Sequence, residues 1–190
     1  MSQKDAPRIH VETVEQWRNW LAQHHLTETG VWLVTWRRAT GRPAPPYEQQ
    51  IQEALRVGWV DSTGKRLDDQ RAMLYFARRR RGSHWARTNK VRVARLEAQG
   101  AMLPAGQAVV DRARADGSWC LLDGAEDLIV PDDFAAALDA APGAREHWAA
   151  FPPSARKQTL GWIAMAKRPA TRAARIEKAA RLASCGQRVQ

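Results

Sequence analysis

The last third of the chain is punctuated by prolines at helix starts, and no other feature limits its folding as much. Pro131, followed by Asp132 and Asp133, opens one helix, Pro142 opens a second, Ser154 is placed to cap a third, and Pro169 forces a break before a fourth. Proline suits the first helical turn, where its missing N–H has no partner to lose, and carboxylates there meet the positive end of the helix dipole. In the fourth helix Ile176, Ala179, Ala180 and Ala183 recur at i, i+3, i+4 and i+7, an apolar face from which Lys178 and Arg181 point away. Arg172 sits over the edge of that face, with Arg175 at its boundary. An arginine held there by neighbouring helices calls for an acidic or phosphate partner.

The first two thirds mix periods. Thr13 caps a helix running to His24, in which Trp17, Trp20 and Leu21 follow Val14 at helical spacing. Residues 31–36 are β-branched and aromatic and end in Arg37, Arg38 and a Gly/Pro-rich turn, which predicts a strand with Trp32 and Trp36 on one face. A helix over 47–57, with Ile51, Ala54, Leu55 and Val57 as its buried stripe, stops at Gly58. Extended segments at 59–61 and 71–78, joined by a turn at Thr63-Gly64-Lys65, predict a small antiparallel sheet. Thr88 or Asn89 caps a further helix ending at Gly100, and Pro104 starts the next, which ends near Gly117. Residues 117–130 sustain no period. The expected architecture is α+β: a small antiparallel sheet packed with helices over 10–117, a linker at 118–130, and an all-helical module over 131–186.

Charge is segregated along this plan. The formal net charge is +10, yet residues 1–64 and 96–115 are neutral, 65–95 carry +9, 116–147 carry −7 and 153–190 carry +8. Such a distribution suits an anionic partner, whether nucleic acid, an anionic membrane or a phosphorylated ligand. It equally suits an acidic stretch folded against a basic one beside a solvated, solubilising face. The first twenty residues break any apolar run with Lys4, Asp5, Arg8, Glu12, Glu15 and Arg18, and nothing downstream reaches membrane-spanning length, so a cytoplasmic protein without an integral membrane segment is expected.

The densest site-like segment is 76–89. Arg78 to Arg81 precede Gly82-Ser83-His84-Trp85-Ala86-Arg87-Thr88-Asn89, a basic loop between a strand and a helix start. Guanidinium forks, the Ser83 hydroxyl and helix-start amides all suit phosphate or carboxylate, and Trp85 offers a stacking face. The alternative is a charged strand end with Trp85 in the core. The spacing from Gly58 to Gly64-Lys65 has five intervening residues where a nucleotide-binding loop needs four, and Arg66 replaces its Ser or Thr. Cys120 and Cys185 form no Cys-x-x-Cys, and the five histidines include no pair at metal-ligand helix spacing, so no cofactor, metal or disulfide is expected. Ser83 and His84, being neighbours, project oppositely on extended chain, and no catalytic residue is nominated.

Four motifs carry a family resemblance: Ala54-Leu55-x-x-Gly58-Trp59-Val60-Asp61, Ser83-x-Trp85-x-x-x-Asn89 with its preceding arginines, Gly100-x-Met102-x-x-Ala105-Gly106, and Ala166-Lys167-Arg168-Pro169-x-Thr171-Arg172-x-x-Arg175-Ile176. With these the chain, from about His10 to Gly186, resembles the YdeI/OmpD-associated, or bacteriocin-protection, family, and the region from Pro131 onward looks like its small helical C-terminal module. The family loop usually reads Thr-Pro-Arg-Arg-Pro before Ser-x-Trp-Ser; here Ala77, Arg78, Arg81 and Ala86 replace the Thr, both prolines and the second Ser, leaving the loop more positive and less rigid.

The resemblance and the charges together predict a noncatalytic module that binds an anionic ligand or nucleic acid through Trp59, Asp61, Arg79, Arg80, Ser83, Trp85, Asn89, Lys167, Arg172 and Arg175. Two alternatives stand beside it. One is an enzyme on a small anionic substrate with Asp61 as acid or base. The other is a protein-interaction module in stress resistance, anchored by exposed tryptophans on an unspecified partner.

Overall fold

The computed structural model describes residues 3–189. They group into two compact units, one of 3–83 with 88–116 and one of 84–87 with 117–189.

The first unit is built on a four-stranded mixed sheet, β1 (Arg8–His10), β2 (Gly30–Trp36), β3 (Trp59–Arg66) and β4 (Arg71–Arg78), in the order β1-β2-β4-β3. Antiparallel pairing holds for β2 with β4 and β4 with β3, whereas β1 runs parallel to β2. The sheet is therefore not purely antiparallel; three residues after Pro7 carry too little alternation to announce a strand. Helices α1 (Val14–His24) and α2 (Tyr47–Arg56) follow β1 and β2, and α3 (Arg87–Ala98) and α4 (Pro104–Ala115) follow the hairpin. Thr13 caps α1 as its pattern predicts: its hydroxyl accepts from the Gln16 N–H, and the Gln16 side chain reciprocates.

The β3–β4 reversal lies later than the Thr63-Gly64-Lys65 signal suggests. β3 continues through those residues to Arg66, with a register shift between Asp61 and Gly64, and the chain turns at 67–70. There the Asp68 carboxylate accepts from the Gln70 and Arg71 backbone N–H groups, supplying the turn with an acceptor that Gly64 lacks.

Alternation along β2 divides its side chains between two faces. Val31 and Leu33 are fully buried, as are Trp17, Leu21, Ile51, Leu55, Trp59 and Phe76, and Trp17 lies 5.1 Å from Phe76. Trp32 and Val34, on the opposite face, gather with Ala6 and Met73 in a smaller cluster. Burying a side chain of this size contributes roughly 1.5–3 kcal/mol, so these residues fix which face of each strand points inward.

Two motif glycines are explained by close packing of α2. A Cβ on Gly106, in the first turns of α4, would strike the Arg56 carbonyl, and one on Gly58 would meet Val109 Cγ2 at 2.7 Å. Gly58 also has φ +79°, a left-handed conformation that stops α2 and turns the chain into β3.

The second unit is helical: α5 (Asp123–Glu126), α6 (Asp132–Ala140), α7 (Ala144–Ala150), α8 (Pro153–Ala164) and α9 (Pro169–Ser184). Phe134, Leu138, Trp148, Leu160, Ile163 and the predicted α9 stripe of Ile176, Ala179, Ala180 and Ala183 form its core. Residues 118–130, aperiodic in sequence, contribute α5, whose Ala125 joins that core and which packs on α8. Ser154 does not cap α8; Pro152 occupies that position and Pro153 the first helical one, because a proline ring already has the φ that the first turn needs.

Candidate functional site

In the first unit Gly58, Asp61 and Ser83 lie around a buried arginine. Arg79 follows β4 directly, and its backbone N–H donates to the Gly58 carbonyl at 3.1 Å, so the turn that ends α2 also pins this position. The residue is only 8% exposed. Burial pushes its guanidinium down to about 10, against the opposing attraction of the Asp61 carboxylate, and it stays cationic at neutral pH. Its Nη1 lies 3.4 Å from the Ser83 hydroxyl, which donates in turn to the Arg80 carbonyl at 2.8 Å. The Arg80 side chain is exposed.

Asp61, on β3, accepts a hydrogen bond of 3.1 Å from the hydroxyl of Tyr47, the first residue of α2. Partial burial and the Asp61 charge hold that hydroxyl above its ordinary pKa. Beside Tyr47, Glu48 receives Arg92 of α3 through Nε at 2.9 Å and Nη2 at 2.7 Å, and Arg92 Nη1 donates to Asn89 Oδ1 at 2.7 Å. The hydrogen bonds from Arg92 hold the Glu48 carboxyl below the usual range, and those to Glu48 hold the Arg92 guanidinium above its own. Thus Asn89 does not cap α3, which begins at Arg87; it is buried in the first turn and positions Arg92.

Trp59 has a structural position here. It is 1% exposed and donates from Nε1 to the His25 carbonyl at 3.2 Å. Tyr47, Glu48 and Arg92 are cluster members that the motifs do not flag. Arg92 stands three residues after Asn89 on one helix face, and that spacing is the one sequence signal pointing to it.

The remaining nominated residues lie in the second unit. Trp85 is 1% exposed and packs on Trp119 with ring centroids 4.8 Å apart. Arg172 grips Asp133 of α6 with two hydrogen bonds of 2.7 and 2.9 Å, the acidic partner its position calls for, and this holds the Asp133 carboxyl below its ordinary value. Arg175 turns to α8, where it donates to the Trp162 carbonyl and lies 5.0 Å from the centroid of the Trp162 ring. These two arginines are taken up by different neighbours, while Lys167 is exposed. Of the nine tryptophans in the chain, five are buried and four half-buried. No described helix is long and apolar enough to cross a membrane.

Comparison with known proteins divides the chain along similar lines. The family described as Domain of unknown function (DUF8412) matches residues 9–109, more than half of the chain. The family described as Bacteriocin-protection, YdeI or OmpD-Associated matches residues 127–186. No curated protein and no solved structure matches it. The resemblance read from Pro131 onward is thus that of the C-terminal helices, whereas the motifs around Asp61, Arg79 and Asn89 fall within the other match. By these matches the chain belongs to the DUF8412 family through its sheet-containing region and carries a bacteriocin-protection, YdeI or OmpD-associated domain in its C-terminal helices.

Proposed function

We propose that the chain is a binding protein whose first unit holds an anionic group, a phosphate or carboxylate of a small ligand or of nucleic acid, against Arg79. The observation that carries this reading is the buried Arg79 guanidinium, in which the cost of desolvation outweighs the attraction of Asp61. Strongly perturbed groups concentrate at functional sites. Guanidinium is suited to planar oxyanions because its N–H groups meet two oxygens at once. Ser83 lies within reach of the same group, and exposed Arg80 adds positive charge next to it.

Titration calorimetry of the full chain with inorganic phosphate, a short-chain dicarboxylate and a short single-stranded oligonucleotide at low salt tests this. Binding to at least one, weakened tenfold or more by Arg79→Met, is the expected result. If the oligonucleotide is the ligand, affinity must fall steeply as salt rises; a flat salt response eliminates nucleic acid and leaves the small anions. Failure of all three to bind overturns the proposal.

One contact favours a second reading, an enzyme acting on a small anionic substrate. The Tyr47 hydroxyl and Asp61 carboxylate form a hydrogen-bonded pair within the electrostatic reach of Arg79, an arrangement able to pass a proton at an anion bound there. In that reading Arg79 positions the substrate and Asp61 is the acid or base. Asp61→Asn then abolishes turnover of a substrate that still binds, whereas in a pure binding protein it alters affinity alone.

A further inference from the structure

The corner between α8 and α9 carries the last of the four sequence motifs, and the Arg79 site uses none of it. Met165, Lys167, Arg168, Pro169 and Ala170 are all exposed there. Arg168, Arg175 and Lys178 follow one another at +7 and +3, so they share one face of the α9 helix. That face turns to α8: the Arg175 guanidinium lies 5.0 Å, and the Lys178 ammonium 5.8 Å, from the centroid of the Trp162 ring. Among the described residues none of Lys167, Arg168, Arg175 and Lys178 is engaged in an ion pair, and Asp133 and Asp139 of the same unit are already held by Arg172 and Arg145. The corner therefore carries positive charge that the unit itself does not neutralise.

Beside these cations stands an apolar tip. Met165 closes α8 with 37% of its surface exposed, one turn after half-buried Trp162. Nucleic acid would answer the charge, but its bases stack on open aromatic faces, and Arg175 and Lys178 already lie over the Trp162 ring. An exposed methionine gains nothing from a phosphate backbone. An anionic bilayer answers both features, because its headgroups attract each Lys or Arg near the surface and its acyl boundary takes up apolar side chains.

We propose that the α8–α9 corner docks on an anionic membrane surface, with Met165 entering the headgroup boundary and Lys167, Arg168, Arg175 and Lys178 facing the lipid phosphates. This surface belongs to the second unit and does not depend on the reading of Arg79.

Co-sedimentation of the full-length chain with vesicles tests this, using phosphatidylcholine alone and phosphatidylcholine with about one third phosphatidylglycerol. Binding is expected to the anionic vesicles only, and it should fall as salt rises. Arg168→Glu is expected to weaken it on the order of fivefold or more, since each cation near an anionic surface contributes about that factor. Arg188→Glu makes the same charge change past the other end of α9, roughly 24 Å of helix away. Its cost is expected to be about twofold or less, because distant charges are screened. Met165→Ser keeps the charge, removes the apolar tip and is expected to weaken binding severalfold. All three positions are exposed, and circular dichroism confirms that each variant is folded. A wild type that ignores anionic vesicles, or binds neutral ones equally well, overturns the proposal. So does Arg188→Glu matching Arg168→Glu, which would reduce the effect to overall charge, or Met165→Ser binding as the wild type does, which would leave a surface for phosphates alone. If Arg168→Glu weakens binding of a short single-stranded oligonucleotide and leaves vesicle binding unchanged, the corner is a nucleic-acid surface and the membrane proposal fails.

Discussion

The two units treat arginine in opposite ways. Arg172 of the second unit grips Asp133 bidentately at a half-buried helix edge, and its guanidinium is held above the ordinary value by the Asp133 hydrogen bonds. Arg79 of the first unit is more deeply buried, and desolvation drives its guanidinium down to about 10 despite Asp61. Where the partner's attraction exceeds desolvation, the charge ties elements together. Where desolvation wins, ionising the group in place is opposed. The same residue type, in two motifs of similar basic character, is thus held by a carboxylate in one unit and desolvated in the other.

Replacing the two arginines separates these roles. The largest effect is expected from Arg79→Met, which removes a charge whose depressed pKa corresponds to about 3 kcal/mol of opposition to ionisation in place. Thermal unfolding should show a Tm held or raised, while phosphate or oligonucleotide affinity falls tenfold or more; a large loss of Tm would place Arg79 with Arg172 as a structural charge. Working the sign through, a base with a lowered folded pKa burdens the fold while it is protonated. Wild-type stability therefore gains from this group as pH rises through about 10, and the Met variant should lack that gain.

Next in size is Arg92→Ala. It leaves Glu48 and buried Asn89 without their shared partner, and chemical denaturation should report a loss of roughly 1–2 kcal/mol. Arg172→Ala should cost less, about 1 kcal/mol or below, because solvent already screens that pair. Its sharper readout is acid titration followed by NMR. The Asp133 carboxyl is depressed in the folded protein, so the stability it contributes is present above the ordinary carboxyl pKa and is lost as pH falls through the depressed one. In the variant that carboxyl should titrate near its ordinary value. Smallest of all, Lys167→Ala should leave Tm unchanged, since the side chain is exposed; a measurable loss would give Lys167 a packing role like that of its neighbours.

Much of the fold was legible because its local chemistry is strong. The Thr13 cap, the helix stop at Gly58 and the starts at Pro104, Pro131 and Pro169 depend on backbone rules acting within one turn. The α9 stripe depends on period alone. The parallel strand at 8–10 and the true site of the β3–β4 turn were not legible: the first is defined by its partner β2, and the second by the Asp68 carboxylate together with a register shift that lets β3 pass through Gly64.

The candidate site divides in the same way. Residue type and motif marked Asp61, Arg79, Ser83 and Asn89, and the helix period marked Arg172 as needing an acidic partner. Burial and long-range pairing decided the rest: that Trp59 and Trp85 belong to the interior, that Arg172 and Arg175 face different helices, that Tyr47 pairs with Asp61, and that Arg92 pairs with Glu48. By itself the sequence determined which charges exist and which helix faces are apolar, because both follow from local spacing. Which charges are desolvated, and by what they are balanced, depends on residues dozens of positions apart, and only the tertiary structure decided it.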